Sequence, residues 1–239
     1  MTTQEILNGR TVLIIDDNIE ICALMTSLLT SRKMEVYTAY TGEMGLVMFK
    51  QKQPDLVILD IMLPDVQGWE ICHRLRELST VPIIIYSALR EAAAVVRGLE
   101  YGADDYIRKS TTNMEILARM SAAIRRAMQP AYLQEKNSYD DGYLLINLEQ
   151  RLFQVKGKVI DLSPTEWALL NCLYAHCGQV VNYKHILDTV WGDEDKPINY
   201  IHVYLTHLRN NLEGNGEHRY LETVSRVGVR FVPKEDAVV

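Results

Sequence analysis

The sequence predicts an α/β domain built on a five-stranded, doubly wound parallel sheet, followed by a second, smaller α+β domain. In the first half, five apolar, β-branched runs alternate with segments of helical periodicity. Most of these runs are continuously apolar, as in parallel strands that helices cover on both faces. After about residue 138 the pattern changes to short strands, helices and a terminal hairpin, and 239 residues suffice for two domains.

The first domain is predicted to cover residues 1–128. Its strands are predicted at 11–16, 35–40, 55–60, 81–87 and 104–109, and its helices at 19–32, 42–52, 68–78, 92–102 and 113–128. The next residues, 129–138, contain Pro130 and several polar side chains without apolar periodicity, which is typical of a linker.

The second domain is predicted to cover residues 139–239, with short strands in 143–148, 152–157 and 158–162. Ser163, Pro164 and Glu166 then form a helix-start signal, because Ser163 can cap, Pro164 suits the first helical position and Glu166 completes a capping box. Further helices are predicted at 183–192 and 199–213. The stretch 221–233 is predicted to be a hairpin that turns near residues 226–228.

Composition narrows the classes of protein to consider. The formal charge of −6 argues against a strongly basic nucleic-acid binder. No apolar run reaches the roughly 18 residues that a membrane helix needs, and the polar start MTTQEILNGR is unlike a signal peptide, so we expect a cytoplasmic protein without a membrane partner. Cys22, Cys72, Cys172 and Cys177 form no CxxC pair, which favours small buried residues in a reducing compartment.

Polar side chains collect at the carboxyl ends of the predicted strands, where open parallel sheets bind ligands. They are Asp16 and Asp17, Asp60, Ser87 and Lys109. Adjacent carboxylates repel each other, so a compensating cation is expected. Three carboxylates at one edge suit Mg²⁺, which takes a few carboxylates and keeps several waters.

This set of groups is suited to phosphoryl transfer, in which positioning and charge neutralisation dominate. Asp60 would be the nucleophile. Singly, an Asp after a strand is usually a helix cap, a lysine a solvated charge and a serine a turn residue. Their occurrence in register on successive strands favours the functional interpretation.

The motifs in residues 10 to 128 resemble the receiver domain of two-component response regulators. They are DD at 16–17, LDIMLPDVQGWE at 59–70, Ser87 followed by Ala88, and GADDYIRK at 102–109. The resemblance implies that a sensor histidine kinase donates a phosphoryl group to Asp60, with Ser87 and Lys109 contacting the phosphoryl oxygens. It also implies Mg²⁺ held by Asp17, Asp60 and the backbone carbonyl of Met62, with Asp16 acting through water.

The same resemblance implies a switch and a dimer face. A shift of the Ser87 hydroxyl would let Tyr106 turn inward; the less favoured alternative is that Tyr106 is a plain half-buried strand tyrosine. Activation would reorganise the face made by the fourth helix, fifth strand and fifth helix and produce a homodimer. The charged residues expected there are Glu100, Asp104, Asp105, Arg119 and Arg126.

Two departures from the family pattern matter. Lys109 precedes Ser110, where the family has a proline after a cis peptide bond. A cis bond before a non-proline costs about 2.5–4 kcal/mol, so we expect a trans bond that places Lys109 differently. This change would slow phosphorylation or shift the resting equilibrium. The run 92–95 is apolar where relatives carry charges, so Glu115 would lack its partner and the dimer would depend more on apolar contact.

The segment 199–213 is predicted to be an amphipathic helix with Ile201, Leu205, Leu208 and Leu212 on one face. Residue types that can contact bases lie elsewhere on it: Asn199, His202, Val203, Thr206, His207, Arg209 and Asn210. Alone, such a helix more often shows a plain solvated face.

The order of elements supplies the context. LSPTEWALL, VWG, HLRNNLE and LETVSRVGVRFV, within residues 140 to 233, resemble the winged-helix effector domain of the OmpR/PhoB subfamily. The resemblance implies that the last helix enters the major groove of double-stranded DNA, while Arg226 and Arg230 of the hairpin reach the backbone or minor groove.

The charge of this half disagrees with a strong DNA binder. Residues 139–239 hold ten Lys/Arg against fourteen Asp/Glu, a net charge of −4, so few phosphate contacts are available. Either DNA binding depends on dimerisation, or the domain acts mainly through protein contacts.

The sequence therefore predicts a phosphorylation-activated, DNA-binding transcriptional regulator that dimerises on paired half-sites. An alternative is an adaptor that contacts RNA polymerase or another protein with little sequence selectivity. A third class, an aspartate-based phosphatase, is disfavoured because the sequence leaves no room for a substrate cap. The expected chemistry is limited to Mg²⁺-dependent phosphorylation and dephosphorylation of Asp60.

Overall fold

The first half of the chain folds as the predicted five-stranded parallel sheet. In this computed structural model, which describes residues 2–89, 91–128, 138–193, 195–212 and 219–234, the strand order is 2-1-3-4-5. The strands are β1 (Thr11–Ile15), β2 (Glu35–Ala39), β3 (Leu56–Leu59), β4 (Ile83–Ser87) and β5 (Asp105–Arg108). All neighbouring pairs are parallel.

Helices connect successive strands, as the periodicity predicts. They are α2 (Ile19–Thr30), α3 (Gly42–Lys52), α4 (Gly68–Leu78), α5 (Ala92–Glu100) and α6 (Asn113–Met128), after a short α1 (Thr3–Leu7). β1, β3 and β4 are buried almost throughout because helices cover both faces of the sheet. Helix α3 lies so close to β1 that a Cβ on Gly45 would be 2.5 Å from Ile15 Cδ1.

Helix α1 was not predicted. Thr2 and Glu5 close a capping box, in which Thr2 Oγ1 accepts a hydrogen bond from Glu5 N at 3.3 Å and Glu5 accepts one from Thr2 N at 2.7 Å. The helix is only five residues long and would be unstable alone. It forms because Ile6 and Leu7, at 2% and 0% exposure, join the core of the sheet.

The second half forms two antiparallel sheets around three helices, in agreement with the predicted winged-helix arrangement. One sheet contains β6 (Ser138–Asp140), β7 (Leu144–Asn147), β8 (Leu152–Val155) and β9 (Lys158–Val159). The helices are α7 (Pro164–Tyr174), α8 (Tyr183–Trp191) and α9 (Asn199–Leu212). The other sheet has the order β10 (Val180–Asn182), β12 (Gly228–Phe231), β11 (Leu221–Val224).

The predicted capping box and terminal hairpin are confirmed. Ser163 Oγ accepts from Glu166 N at 3.3 Å, and Glu166 accepts from Ser163 N at 2.7 Å. Strands β11 and β12 pair on either side of the turn that contains Arg226. Strands β6 and β10 were not predicted, and the strand expected at 158–162 is limited to Lys158–Val159.

The chain divides into two compact units, Met1–Ala127 and Met128–Val239. The predicted linker, 129–138, lies outside the described residues except for Ser138, which begins β6. Among the helices that the structure describes, none is long and apolar enough to cross a membrane.

A buried carboxylate ties the two ends of the second unit together. The Asp141 side chain is 1% exposed and accepts hydrogen bonds from the hydroxyl groups of Tyr139 at 3.0 Å and Tyr220 at 2.6 Å. Burial raises the pKa of Asp141, but hydrogen bonds, first that from the Leu144 N–H and then that from Tyr220, outweigh it and hold the pKa below the ordinary value.

We expect Leu7→Ala to lower the free energy of unfolding of the first unit by about 2–5 kcal/mol, because it removes buried methyl groups from the core. Amide exchange of β1, followed by mass spectrometry, measures this loss. Leu24→Ala is the matched control, since Leu24 is 72% exposed. Equal effects of the two substitutions would contradict a structural role for α1.

The Asp141 carboxylate should make the second unit sensitive to acid. Its pKa in the folded state is below the ordinary 3.8, so its stabilisation is present above pH 3.8 and is lost as the pH falls through the folded-state value. We expect Asp141→Asn to flatten the pH dependence of thermal unfolding in this range. The exposed Asp161→Asn serves as control, and an unchanged profile for Asp141→Asn would refute the assignment.

Candidate functional site

The sheet topology brings the five predicted polar residues to one edge. Asp16 and Asp17 follow β1, Asp60 follows β3, Ser87 ends β4 and Lys109 follows β5. These four strands are consecutive neighbours in the sheet, and their carboxyl ends lie on the same side because all are parallel. The site is therefore assembled from residues up to 93 positions apart, Asp16 and Lys109.

Lys109 binds two of the carboxylates. Its Nζ lies 2.7 Å from Asp16 Oδ2 and donates a hydrogen bond of 2.6 Å to Asp60 Oδ2. The other oxygen of Asp60 accepts a hydrogen bond from Ile61 N at 2.6 Å. Asp16 and Asp60 are only 1% and 4% exposed, so a single ammonium group balances two buried acids.

The protonation of this cluster follows from burial and pairing. Burial raises the pKa of Asp16, and the Lys109 ammonium 2.7 Å away opposes that shift. For Lys109, burial acts to lower the pKa, but the nearby carboxylates of Asp16 and Asp60 together raise it above the ordinary value. The ammonium therefore remains charged at neutral pH.

The acidic cluster fits a divalent cation. Ligand oxygens of Asp16, Asp17 and Asp60 all lie within 4.8 Å of one another. Asp16 Oδ2 is buried and contacts Lys109, but it makes no well-directed hydrogen bond with protein groups. Hard carboxylate oxygens at this spacing are ligands that Mg²⁺ accepts. Met62 follows in the next loop with its side chain 62% exposed.

Ser87 and Tyr106 lie next to this cluster. Ser87 is fully buried, and Tyr106 is 5% exposed. The Tyr106 hydroxyl donates to the Leu89 carbonyl at 3.0 Å and also interacts with the Ser87 side chain. Burial raises the Tyr106 pKa, so the phenol is neutral at physiological pH. The ring is thus buried and inward, rather than half-buried.

The Lys109–Ser110 peptide bond is trans, as predicted, since the described residues contain no cis peptide bond. The Lys109 ammonium still reaches Asp60. The expected effect of Ser110 on the rate of phosphorylation stays a prediction.

The loop after Asp60 is anchored at two points. Gly68 N donates to Ile61 O at 2.9 Å, and a Cβ on Gly68 would lie 2.2 Å from Asp60 O, so only glycine fits there. The Asp65 carboxylate accepts hydrogen bonds from Gly42 N at 2.9 Å and Glu43 N at 3.0 Å, at the start of α3. The Glu43 hydrogen bond is the main cause of its lowered pKa.

The role of Asp65 was not predicted from the sequence. Its local signal is an aspartate directly after Pro64 in a short loop, but the partners of Asp65 are more than twenty residues away. Capping between distant segments cannot be read from local spacing.

Several of the charged side chains predicted for the dimer face form ion pairs within the chain. Asp104 is 1% exposed and bonded to Arg76 at 2.6 Å, so the expectation that it pairs across a dimer is not supported by its position. Asp105 is paired with Arg119 at 3.4 Å, and Arg119 also binds Glu115 at 2.9 Å.

The remaining two residues of that face differ in exposure. Glu100 is exposed at the end of α5, whereas Arg126 is only 4% exposed. Glu115 is paired with Arg119 of the same helix at 2.9 Å, and its lack of a partner across a dimer stays a prediction. Arg126 could join a dimer contact only after rearrangement.

Helix α9 buries more of its surface than predicted. Val203 was expected to contact thymine but is 7% exposed, because the buried stripe widens to include Tyr200 and Tyr204. His207 is half-buried and lies 3.8 Å from Glu166. Four predicted contact residues are exposed on α9: Asn199, His202, Thr206 and Asn210.

The arginines of the second unit differ in their engagement. Arg209 donates from Nη2 to the Leu221 carbonyl at 2.8 Å and to Thr223 Oγ1 at 2.8 Å, so it joins α9 to β11. Arg230 Nε donates to Glu222 at 3.0 Å. Arg226 is exposed in the hairpin turn, with a left-handed φ of 62°.

Each half of the chain matches a known protein family. Residues 12–121 match the family described as the response regulator receiver domain, and residues 157–231 match the family described as transcriptional regulatory protein, C terminal. The chain is 36% identical over 218 residues to the response regulator ArlR of Staphylococcus haemolyticus, covering 91% of this chain and 97% of ArlR.

A second relative is the transcriptional regulatory protein KdpE of Mycobacterium tuberculosis, 36% identical over 222 residues, covering 92% of this chain and 98% of KdpE. A solved structure of a RitR mutant has a TM-score of 0.76 at 22% identity and covers 93% of this chain and 99% of that chain, which supports the fold.

We expect Asp65→Ala to weaken Mg²⁺ binding by up to about fivefold, since losing a helix cap costs roughly 1 kcal/mol and frees the loop that carries Met62. Fluorescence of Trp69, which follows this loop directly, reports the titration. Glu70→Ala, an exposed change in the first turn of α4, is the control. Unchanged affinity in Asp65→Ala would show that the loop needs no such anchor.

Proposed function

The chain belongs to the two-component response regulators of the OmpR/PhoB type, and on that premise we propose that phosphorylation of Asp60 by a sensor histidine kinase activates it as a transcriptional regulator. Residues 1–128 form the receiver, 129–138 the linker and 139–239 the DNA-binding effector. The protein acts in the cytoplasm. The observation that carries the proposal is the Asp60 carboxylate held by Lys109 beside Asp16 and Asp17.

The chain's own residues account for phosphoryl transfer. An Asp60 oxygen attacks the phosphorus of a phosphohistidine on the kinase; the new P–O bond forms as the P–N bond breaks, and the imidazole leaves with the electron pair. Lys109 is positioned to transfer its hydrogen bond from Asp60 to a phosphoryl oxygen. The Ser87 hydroxyl contacts a second phosphoryl oxygen.

Asp17, Asp60 and the Met62 carbonyl would hold Mg²⁺, with Asp16 acting through a water. Bound there, the ion would neutralise charge on the phosphoryl oxygens. The phosphohistidine of the kinase is the phosphoryl donor, and the acceptor is the receiver's own Asp60. Its chemistry is limited to gaining and losing this phosphoryl group.

Activation then acts through Ser87 and Tyr106. The inward position of Tyr106, bonded to the Leu89 carbonyl, supports a switch in which the phosphoryl group stabilises this arrangement through Ser87. The face of α5, β5 and α6 forms a homodimer, using Glu100, Asp105 and Arg119. The exposed Ala92 and Ala93 give this face an apolar component.

Dimerisation makes DNA binding effective despite the acidic effector. Two linked domains on paired half-sites raise each other's effective concentration, which offsets weak contacts from each one. The exposed side of α9 faces the major groove of DNA, and Arg226 reaches the DNA backbone or the minor groove. Arg230 contributes to DNA binding after its hydrogen bond with Glu222 breaks.

A second candidate is an adaptor that acts through protein contacts, for example with RNA polymerase. The net charge of −4 in residues 139–239 and the internal engagement of Arg209 and Arg230 favour it. It predicts little sequence selectivity and a weak dependence of binding on salt.

Treatment with a small-molecule acyl phosphate and Mg²⁺ should place one phosphoryl group on Asp60, because Asp60 is the nucleophile. Mass spectrometry of the intact protein and its peptides locates it. Asp60→Asn should abolish the modification, and the exposed Asp140→Asn should not. Modification at another residue, or none in the wild type, would refute the proposed site.

DNA binding is tested by selecting genomic fragments with the full-length protein, with and without beryllofluoride and Mg²⁺, at two salt concentrations. We expect a repeated half-site enriched by activation, because dimerisation couples two effectors. Asp60→Asn should show no enrichment by activation. Failure to enrich any sequence in either state would favour the adaptor.

A further inference from the structure

The guanidinium of Arg209 is engaged in hydrogen bonds within the effector domain. Nε and Nη2 both donate to the Leu221 carbonyl, at 3.2 and 2.8 Å, so one edge of the fork chelates a single oxygen. The second hydrogen of Nη2 goes to Thr223 Oγ1 at 2.8 Å. Only Nη1 has no part in these three bonds.

This arrangement removes the group best suited to recognise guanine. Specific recognition of guanine by arginine needs two parallel N–H groups directed at O6 and N7. In Arg209 the Nε–Nη2 edge is occupied, and the Nη1–Nη2 edge is half occupied. Arg209 therefore holds the recognition helix against the first strand of the hairpin, and it is a positioning residue.

The exposed residues of α9 have a different chemistry. Asn199, His202, Thr206 and Asn210 are spaced by three and four residues and lie along one side of the helix. The Thr206 hydroxyl donates to the His202 carbonyl at 2.9 Å, which leaves the methyl group available for apolar contact. Asparagine side chains suit N6 and N7 of adenine, and a threonine methyl suits the methyl of thymine.

From these contacts we infer that the half-sites are read at A·T base pairs, by Asn199, Thr206 and Asn210, and that Arg209 sets the position of the hairpin without reading a base. The inference rests on the proposed DNA-binding function and specifies its substrate class.

The hairpin supports the same base composition. Arg226 is exposed in the turn, and a single arginine at a hairpin tip suits a narrow minor groove. Narrow minor grooves are a property of A-tracts, whose negative potential attracts arginine. Both contact surfaces of the domain therefore favour A·T-rich DNA.

The test is selection from a random duplex library by the full-length protein with beryllofluoride and Mg²⁺. Four proteins are compared: wild type, Asn210→Ala, Arg209→Met and Thr223→Val. Asn210→Ala changes an exposed side chain, so it tests base reading even if an Arg209 variant folds poorly. Thr223→Val removes an acceptor of Arg209 and leaves every residue of α9 in place.

We expect a wild-type motif of A·T pairs, with the preference for one adenine reduced about tenfold in Asn210→Ala, as for the loss of a base-specific contact. Arg209→Met and Thr223→Val should weaken binding to all sequences by a similar factor and retain the motif.

A different pattern would overturn the inference. That pattern is a fixed guanine whose preference disappears in Arg209→Met and persists in Thr223→Val. Absence of any enriched sequence for the wild type would instead contradict the proposed DNA-binding function, and the inference with it.

Discussion

The ion cluster of Lys109 with Asp16 and Asp60 is the constraint on which the first unit depends. Two carboxylates that are nearly inaccessible to water are costly unless a counter-charge accompanies them, and one ammonium lies 2.7 and 2.6 Å from them. The parallel sheet places these groups together, since each follows a strand that ends at the same edge. Chemistry at Asp60 must therefore begin with redistribution of this charge.

The sequence alone was sufficient to predict the sheet, its connecting helices and the group of residues at the strand ends. Periodicity marks strands and helices, and the polar residue after each strand then follows from parallel topology. Features that depend on distant partners were missed or wrong. Asp65 caps a helix more than twenty residues away, Val203 is buried by a wider stripe than the leucine spacing implied, and α1 exists because Ile6 and Leu7 reach the core.

The two halves of the chain differ in where their charged side chains lie and in what those side chains are available to bind. In the first, buried charges are concentrated where a phosphoryl group and a cation can rearrange them. In the second, Arg209 is bonded to Leu221 and Thr223 and Arg230 to Glu222, and the exposed side of α9 is mainly neutral. An effector of this kind gains little from nonspecific attraction to phosphates, and the proposed pairing of two copies would make its occupancy of DNA depend more on base contacts.

The most direct test of the central role of Lys109 is the Mg²⁺ affinity of Lys109→Met, measured by titration of the full-length protein beside wild type and the exposed control Lys50→Met. Lys109 is the internal counter-charge of Asp16 and Asp60, so its removal should tighten Mg²⁺ binding by about tenfold or more. The Lys50 variant should match wild type. Unchanged or weaker binding in Lys109→Met would contradict the account.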